Sequence, residues 1–327
     1  MKYIKKCIPI QELASGDMLT IQVHTFIGNK PGPIVYLQGN LHGPEIFGTA
    51  LLLRLVQILG KQKSLKGKII IVPCANPMGV NQIAYNSMIG RWNAQSGTNW
   101  NRIFPMSPLK NHTEEISFYK NLLIENNLSI ESKLAATLRT LSAGANYVLD
   151  IHTTGSSSAE HLFTYPWMHR DFADLAVPIH LELSLDDVVG AFDESHVLPF
   201  LKTLSQEKVA KVATWEAHFH GHIDNTTIAQ RLTQILSWLD GLWAKKASTK
   251  PEPEIHSKSA HLCAPVAGYY AWTKKVGERV EKGDIYALVY QTKGGSIPVK
   301  ATCSFTLLGV YGVAATASGE QIGLIAY

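Results

Sequence analysis

Two runs of nearly unbroken apolar residues constrain the fold more than any other feature. Ile34-Val35-Tyr36-Leu37 in "GPIVYLQGN" and Ile69-Ile70-Ile71-Val72 in "GKIIIVPCANP" are too short for helices and lack the alternation of a half-exposed strand. Both therefore read as strands buried on two faces. Between them, "GTALLLRLVQILGKQ" carries leucines at helical spacing. The pattern recurs downstream. "SKLAATLRTLSAG" predicts a helix before the strand "ANYVLDIHTT", and the strand "VAKVATWEAHFHG" precedes a helix from near Asn225 to about Ala247. Strand and helix in alternation imply an α/β domain, residues 1–248, around a largely parallel or mixed sheet flanked by helices.

The texture then changes. "KKASTKPEPEIHSKS", residues 245–259, has prolines, lysines and serines without apolar periodicity and reads as a linker. Short β-like runs follow: "VAGYYAWTKK", "IYALVYQTKG", "SIPVKATCSF", "TLLGVYGVA" and "QIGLIAY". Residues 249–327 are thus expected to form a small all-β domain, below the size at which a core sustains itself easily, leaning on the large domain. "APVAGYYAWTKKVGERVEKGDIYALV" resembles half of a biotinyl/lipoyl-type hammerhead, but the usual hairpin tip around a modified lysine is absent, so Lys293 is expected to stay unmodified. Such a module can narrow the entrance to a cleft in the large domain, with Tyr269, Tyr270, Tyr286 and Tyr290 as the tyrosines that could reach it.

Composition excludes several functions. With a net charge of +4 and no run of lysines or arginines, the chain has no electrostatic footprint for nucleic acid. No stretch is long enough to span a bilayer, and "MKYIKKCIPIQELASG" lacks the apolar core of a signal peptide. Cys7, Cys74, Cys263 and Cys303 are scattered with no CxxC pair, which reads as free thiols in a reducing compartment. A cytoplasmic protein is expected, and a homo-oligomer is compatible with the sequence.

The chemistry-bearing stretch is "GNLHGPEIFG", residues 39–48, directly after the first buried strand. A turn at a strand's carboxyl end faces the crevice where open α/β sheets bind ligands. His42 and Glu45, three residues apart on that turn, can converge on one ion, and two histidines with one glutamate are a recognised zinc set that leaves a position for water. Gly39, Gly43 and Gly48 are expected to give the turn backbone freedom. On these residues alone, a polar turn facing water is an equal reading. His152 in "VLDIHTTG" lies where another strand meets its loop; a hydrogen-bonded core histidine is the alternative. Asp150, two residues earlier and on the same strand face, can orient a ligand from behind.

In that order, "GNLHGPE", "NP", "GRWNAQSGTNWNRIFP", "DIHTT" and "TWEA" resemble the succinylglutamate desuccinylase/aspartoacylase family, zinc hydrolases with the fold of the M14 metallocarboxypeptidases, over roughly residues 30–245. The resemblance implies one Zn²⁺ per chain held by His42, Glu45 and His152. It makes Glu216 in "VATWEAHFHG" the general base that activates water with zinc. A carboxylate in an otherwise apolar strand is costly unless used or paired, and burial raises its pKa towards a useful value. Arg91 resembles the family's carbonyl-polarising arginine, and Asn101 and Arg102 its pair that holds the substrate carboxylate.

Two departures from the family pattern bear on function. Asn99 stands where these enzymes usually carry an aspartate that hydrogen-bonds a zinc-binding histidine, so the histidine is less strongly polarised. The additional arginine that grips a second carboxylate has no counterpart, since no arginine falls between Arg170 and Arg231. Lys202, Lys208 and Lys211 are the substitutes considered, none at a matching motif. The reading is zinc-dependent hydrolysis of the amide of an N-acyl amino acid or related small molecule with one carboxylate. A metallocarboxypeptidase and a non-catalytic ligand-binding relative are the rivals. "HFHGH" places His218, His220 and His222 on one strand face if the strand continues, and lining the pocket or near the surface if it stops at Gly221. His196 is a further histidine that could line the pocket.

Overall fold

Among the residues described by the computed structural model (1–125, 127–244, 248–312 and 315–327), nine strands form one mixed sheet. The chain opens with β1 (Lys2–Glu12), β2 (Met18–Ile27), β3 (Lys30–Gly39), α1 (Phe47–Leu59) and β4 (Lys66–Val72). The single turn α2 (Pro77–Val80), the hairpin β5–β6 (Ile83–Ala84, Ser87–Met88), α3 (His112–Leu123), α4 (Ile130–Ser142) and β7 (Tyr147–His152) come next. β8 (Ser157–Ser158), β9 (His161–Thr164), β10 (Ile179–Glu182), α5 (Glu194–Val197), β11 (Lys211–Glu216), α6 (Asn225–Ala244) and β12 (Glu254–His256) follow. The sheet runs β1-β2-β4-β3-β7-β11-β9-β10-β12.

Its centre is parallel: β4, β3, β7 and β11 pair in the same direction, with Gln38 beside Asp150 and Glu216 beside His152. These strands are buried on both faces. Val35, Tyr36 and Leu37 are fully enclosed, as are Val148, Leu149 and Ile151. One face is covered by α1, whose Phe47, Leu51, Leu52, Leu55 and Leu59 form the stripe that its leucine spacing predicts. The helices α3 and α4 begin where a side chain accepts the first free amides: Asn111 from Glu114 at 3.0 Å and Ser129 from Ser132 at 3.2 Å.

Three strands fall outside the sequence expectation. The N-terminal basic stretch is a long hairpin, β1 with β2, added antiparallel to β4. Its lysines stay on an exposed edge, where charge discourages further pairing. Residues 254–256, inside the expected linker, extend the other edge as β12 beside β10, because backbone pairing to an open edge needs no apolar pattern. The helix end expected near Ala247 lies outside the described residues, α6 being described to Ala244.

The C-terminal strands are β13 (Ser259–Cys263), β14 (Gly268–Trp272), β15 (Arg279–Val280), β16 (Ile285–Tyr290), β17 (Ser296–Lys300), β18 (Phe305–Val310), β19 (Ala315–Thr316) and β20 (Gln321–Ala326). They make two antiparallel sheets, β13-β20-β18-β15 and β17-β16-β14-β19. Tyr270, Tyr286, Val289, Phe305, Leu307 and Ile322 fill a separate small core. This unit is tied to the rest by β8, which pairs with β18 (Ser158 with Gly309, Ser157 with Val310), and by an apolar seam of Ile179, Leu181, Leu308, Leu324 and Ala326. All four cysteines are free, and no described helix is long and apolar enough to cross a membrane.

An ion pair hidden from water joins α3 to α4: Arg139 Nη2 donates to Glu115 Oε1, both residues being at most 1% exposed. Removing one partner leaves the other charge buried alone, so Glu115→Ala should lower the unfolding free energy by about 3–5 kcal/mol. The double variant Glu115→Leu/Arg139→Met should recover most of that loss in urea titrations. His161 is fully enclosed, and burial pushes its pKa down to about 4 from 6.5; His180 is pushed to about 3 by burial and by His169. Above pH 6.5 both are neutral whether folded or not. As pH falls below 6.5 the unfolded chain takes up the proton first, and stability drops until the folded pKa is reached. For His161 the loss is on the order of 3 kcal/mol. Urea midpoints should therefore fall between pH 7 and pH 4.5, less steeply in His161→Gln.

Candidate metal centre and its cleft

The buried parallel strands can present polar side chains only where they end. At the carboxyl end of β3, Asn40 takes the left-handed conformation, φ 58°, which asparagine tolerates better than most residues. Its amide donates to the carbonyls of His42 (2.7 Å) and Gly43 (3.0 Å) and closes the turn. The glycines serve a different purpose from the expected one: none of Gly39, Gly43 and Gly48 has positive φ. They allow backbones to touch. A Cβ on Gly43 would meet Gly79 O at 2.3 Å, and one on Gly48 would meet Ile151 O at 3.1 Å.

This turn brings His42 and Glu45 against His152 at the end of β7. Ligand atoms of the three lie within 4.8 Å of one another, and all three residues are buried. Glu45 Oε1 is 2.8 Å from His42 Nδ1, and Glu45 Oε2 is 2.7 Å from His152 Nδ1. Each imidazole is held from behind: His42 Nε2 lies 2.9 Å from Asn99 Oδ1, and His152 Nε2 lies 2.8 Å from Asp150 Oδ2. Those outer oxygens are acceptors, so each Nε2 carries a hydrogen and each neutral ring turns its Nδ1 lone pair inward. Two lone pairs and a carboxylate facing one point need positive charge between them, supplied by protons or by a metal ion. The set fits zinc in donor type and number.

Charge is balanced accordingly. Burial alone would raise the pKa of Glu45, but His42 and His152 overcome it and hold the carboxylate well below its usual range. Burial lowers His42, against the pull of Glu45. Burial also opposes protonation of His152, yet Asp150 and Glu45 raise it well above the usual value. Glu216, at the end of β11 and 9% exposed, has Oε2 buried without a hydrogen-bond partner. Burial and nearby Glu45 push its pKa up to about 7, restrained by His152, Thr154 and Arg91.

The cations come from the long loop after α2. Gly90 lies against Gly79, where a Cβ would meet Gly79 O at 1.9 Å, and the next residue is Arg91. Its Nη1 is 3.0 Å from Glu45 Oε1. Asn99 Oδ1 also accepts from Asn101 N at 2.8 Å, tying this loop to His42. Asn101 Oδ1 accepts from Phe192 N at 2.8 Å, which leaves the amide NH₂ as the end that can donate. Arg102 bonds through Nη1 to Asn101 O at 2.6 Å; burial and the charge of Arg91 lower its pKa, while Glu194 and Asp193 raise it.

Other histidines and lysines are sorted by the fold. β11 stops at Glu216, so His218, His220 and His222 do not share a strand face. His220 Nδ1 lies 2.7 Å from Thr153 Oγ1, beside the centre, while His218 and His222 turn towards Asp224. His196 is a core histidine held by Phe192 O and Ser142 Oγ, each at 2.9 Å. Lys208 and Lys211 line a cavity with Pro33 and Tyr147, at the amino ends of the parallel strands, away from the centre.

Sequence reasoning missed the tyrosine from the C-terminal unit. Tyr270 and Tyr286 belong to that unit's core, and Tyr269 and Tyr290 are exposed. Tyr311 is the one whose phenol feels both Arg91 and Glu216, burial pushing its pKa up to about 12. Its hydroxyl is 2.8 Å from His261 Nδ1. The close approach of Gly155 to Val310 O, 2.3 Å from where a Cβ would sit, sets this docking, and no local motif announces it.

The family model for the succinylglutamate desuccinylase/aspartoacylase catalytic domain matches residues 31–240. The chain belongs to this family, one of amide-hydrolysing deacylases. Among solved structures, a succinylglutamate desuccinylase/aspartoacylase family protein from Shewanella amazonensis SB2B superposes with a TM-score of 0.89 at 23% identity, over 99% of this chain and 98% of that one. One from Shewanella frigidimarina NCIMB 400 gives 0.87 at 22% identity, over 99% and 97%. The product-bound ectoine utilization protein EutE (DoeB) from Ruegeria pomeroyi gives 0.72 at 17% identity, over 99% and 94%. These likenesses extend through the C-terminal sheets and establish the shared fold. No curated protein matches.

Asn40 supports the turn on which His42 and Glu45 ride. Asn40→Ala forces alanine into the left-handed region, costing roughly 1–2 kcal/mol, and removes two buried hydrogen bonds worth about 1 kcal/mol each. Asn40→Gly should restore the backbone share only. Urea midpoints should rank wild type above glycine above alanine, and zinc retention after dialysis should follow that order.

Proposed function

We propose that the chain is a zinc-dependent deacylase that hydrolyses the amide of an N-acyl amino acid, or a related small amide, bearing a single carboxylate. The observation that carries this reading is the convergence of His42, Glu45, His152 and Glu216 at the ends of three adjacent parallel strands. His42, Glu45 and His152 would hold one zinc ion. Bound there, zinc supplies Lewis acidity that makes water a better nucleophile and polarises the amide carbonyl.

Glu216 takes the proton from the attacking water and passes it to the amide nitrogen as the C–N bond breaks. A pKa near 7 suits both halves of that transfer. Arg91 stabilises the negative charge that grows on the carbonyl oxygen. Arg102 and the Asn101 amide hold the carboxylate and fix which carbonyl faces Glu216. Asn99 and Asp150 keep the two imidazoles in their orientation; with an uncharged amide behind His42, the two histidines are polarised unequally. Tyr311, whose phenol feels the charges of Arg91 and Glu216, is the residue of the C-terminal unit through which that unit would narrow the entrance and favour a small amide over a peptide.

Glu216→Gln should retain zinc near one ion per chain while losing roughly a hundredfold or more in turnover. Chelation should abolish activity and zinc should restore it. In a panel of N-acyl neutral amino acids, N-acetylaspartate, N-succinylglutamate and a dansylated dipeptide, the neutral N-acyl amino acids should be cleaved best. Preference for N-acetylaspartate would overturn the single-carboxylate assignment, and preference for the dipeptide would make the protein a carboxypeptidase.

A further inference from the structure

We propose that His218, His222 and Asp224 form a second site for a borderline divalent transition-metal ion, on the segment that leaves the catalytic strand. Their ligand atoms lie within 4.8 Å of one another, as do those of His42, Glu45 and His152. The backbone brings them together. After Glu216 the chain is clamped by Ala217 N to His152 O (3.0 Å), Thr154 N to His218 O (3.1 Å) and His220 N to Gly155 O (2.8 Å). Gly221 then turns with φ +67°, in open space, and its amide donates to Pro44 O at 2.9 Å. That turn sends His220 inward and folds His222 back towards His218, their ring centres 5.4 Å apart.

The three side chains are prepared as ligands. The His218 ring is packed against Phe47 at 4.7 Å and Phe219 at 4.2 Å, so its direction is set by packing. Its Nε2 is buried and lies 3.1 Å from Asp224 Oδ2, yet it makes no well-directed hydrogen bond. Two atoms that are close without pointing at each other are what neighbouring ligands of one ion show. With bonds of 2.0–2.1 Å at tetrahedral angles, such atoms stand about 3.3 Å apart. Asp224 Oδ1 is occupied by Thr227 N at 2.7 Å, which leaves Oδ2 for this corner. His222 stacks on Phe219 with ring centres 5.0 Å apart and faces solvent, giving the ion a path in and a ring free to rotate onto it.

A plain His218–Asp224 ion pair is the competing account. It demands an imidazole N–H aimed at the carboxylate, whereas Nε2 and Oδ2, though 3.1 Å apart, are not aligned as donor and acceptor. It also leaves His222 without a part. Two imidazoles with one carboxylate suit Zn²⁺, Ni²⁺ or Cu²⁺ rather than Ca²⁺ or Mg²⁺. With His222 and Asp224 partly open to water, this site should bind more weakly than the enclosed one.

The test uses metal-stripped full-length protein, titrated with zinc chloride in equilibrium dialysis with elemental analysis. Wild type should take up two zinc ions per chain, the second more weakly. His222→Ala and Asp224→Asn should each lose the weaker ion and keep the tighter; His222 is exposed, and asparagine caps α6 as aspartate does, so both variants fold. Glu45→Gln should lose the tighter ion and keep the weaker. Cobalt(II) should give a second set of visible absorption bands that disappears in His222→Ala. A wild-type stoichiometry of one at saturation, or of two unchanged in both His222→Ala and Asp224→Asn, overturns the proposal. Loss of an ion in His222→Ala with none lost in Glu45→Gln supports this site and removes the metal assignment at His42.

Discussion

A carboxylate sealed among the ends of apolar strands is the constraint on which this structure turns. Glu45 is 1% exposed, and its two oxygens meet two imidazoles, a guanidinium and a backbone amide. Taking such a charge out of water costs several kcal/mol unless opposite charge or donors surround it. That cost explains why its neighbours are fixed as they are. Asp150 lies behind His152 and Asn99 behind His42, so neither imidazole can rotate away and leave Glu45 unpaired. It also explains why the loop from Arg91 to Arg102 returns to this point, since it supplies both the guanidinium and the Asn99 brace.

The C-terminal sheets follow from a different economy. Their own core is small, and a unit of that size is marginal alone. Pairing of β18 with β8 and the seam of Ile179, Leu181, Leu308, Leu324 and Ala326 supply support that the unit's interior lacks. Because β8 directly follows the loop after His152, the attachment point is next to the candidate metal centre. The contact that supports the appendage therefore also brings Tyr311, just past the docking strand, within the electrostatic reach of Arg91 and Glu216.

Legibility in the sequence tracked how local the cause was. The central strands and α1 could be read because burial on two faces or on one stripe writes itself into consecutive residues. The turn bearing His42 and Glu45 was visible as a pattern, but the role of its glycines was misread. Their need arises from contacts with Gly79 and Ile151, far off in sequence, whereas the strained backbone belongs to Asn40. The hairpin β1–β2 and the edge strand β12 are held by backbone pairing at sheet edges, which polar residues can do and no apolar period marks. Tyr311 was invisible for the same reason: its position depends on how one sheet docks on another. The "HFHGH" stretch left two placements open because alternation is informative only while the strand lasts, and the strand ends at Glu216.

The charge inventory of the cleft bears on what it can hold. A dicarboxylate needs two separate cations besides any metal. Arg91 already faces Glu45, and Arg102 feels the charge of Arg91. Arg231, next along the chain after Arg170, is committed elsewhere: it donates to Ala217 O at 3.0 Å, pairs with Glu160 and lies 6.0 Å from the Trp215 ring. Lys208 and Lys211 open on the opposite end of the strands. Beside Arg102 lie Asp193 and Glu194, whose carboxyls offset part of its charge, with Asp193 pushed up to about 6 by burial and so able to shed its own. A second substrate carboxylate would therefore enter a low-dielectric cleft with one arginine already occupied. Taking that ion out of water costs several kcal/mol unless opposite charge surrounds it, and this cost is what supports the proposal of a substrate with a single carboxylate.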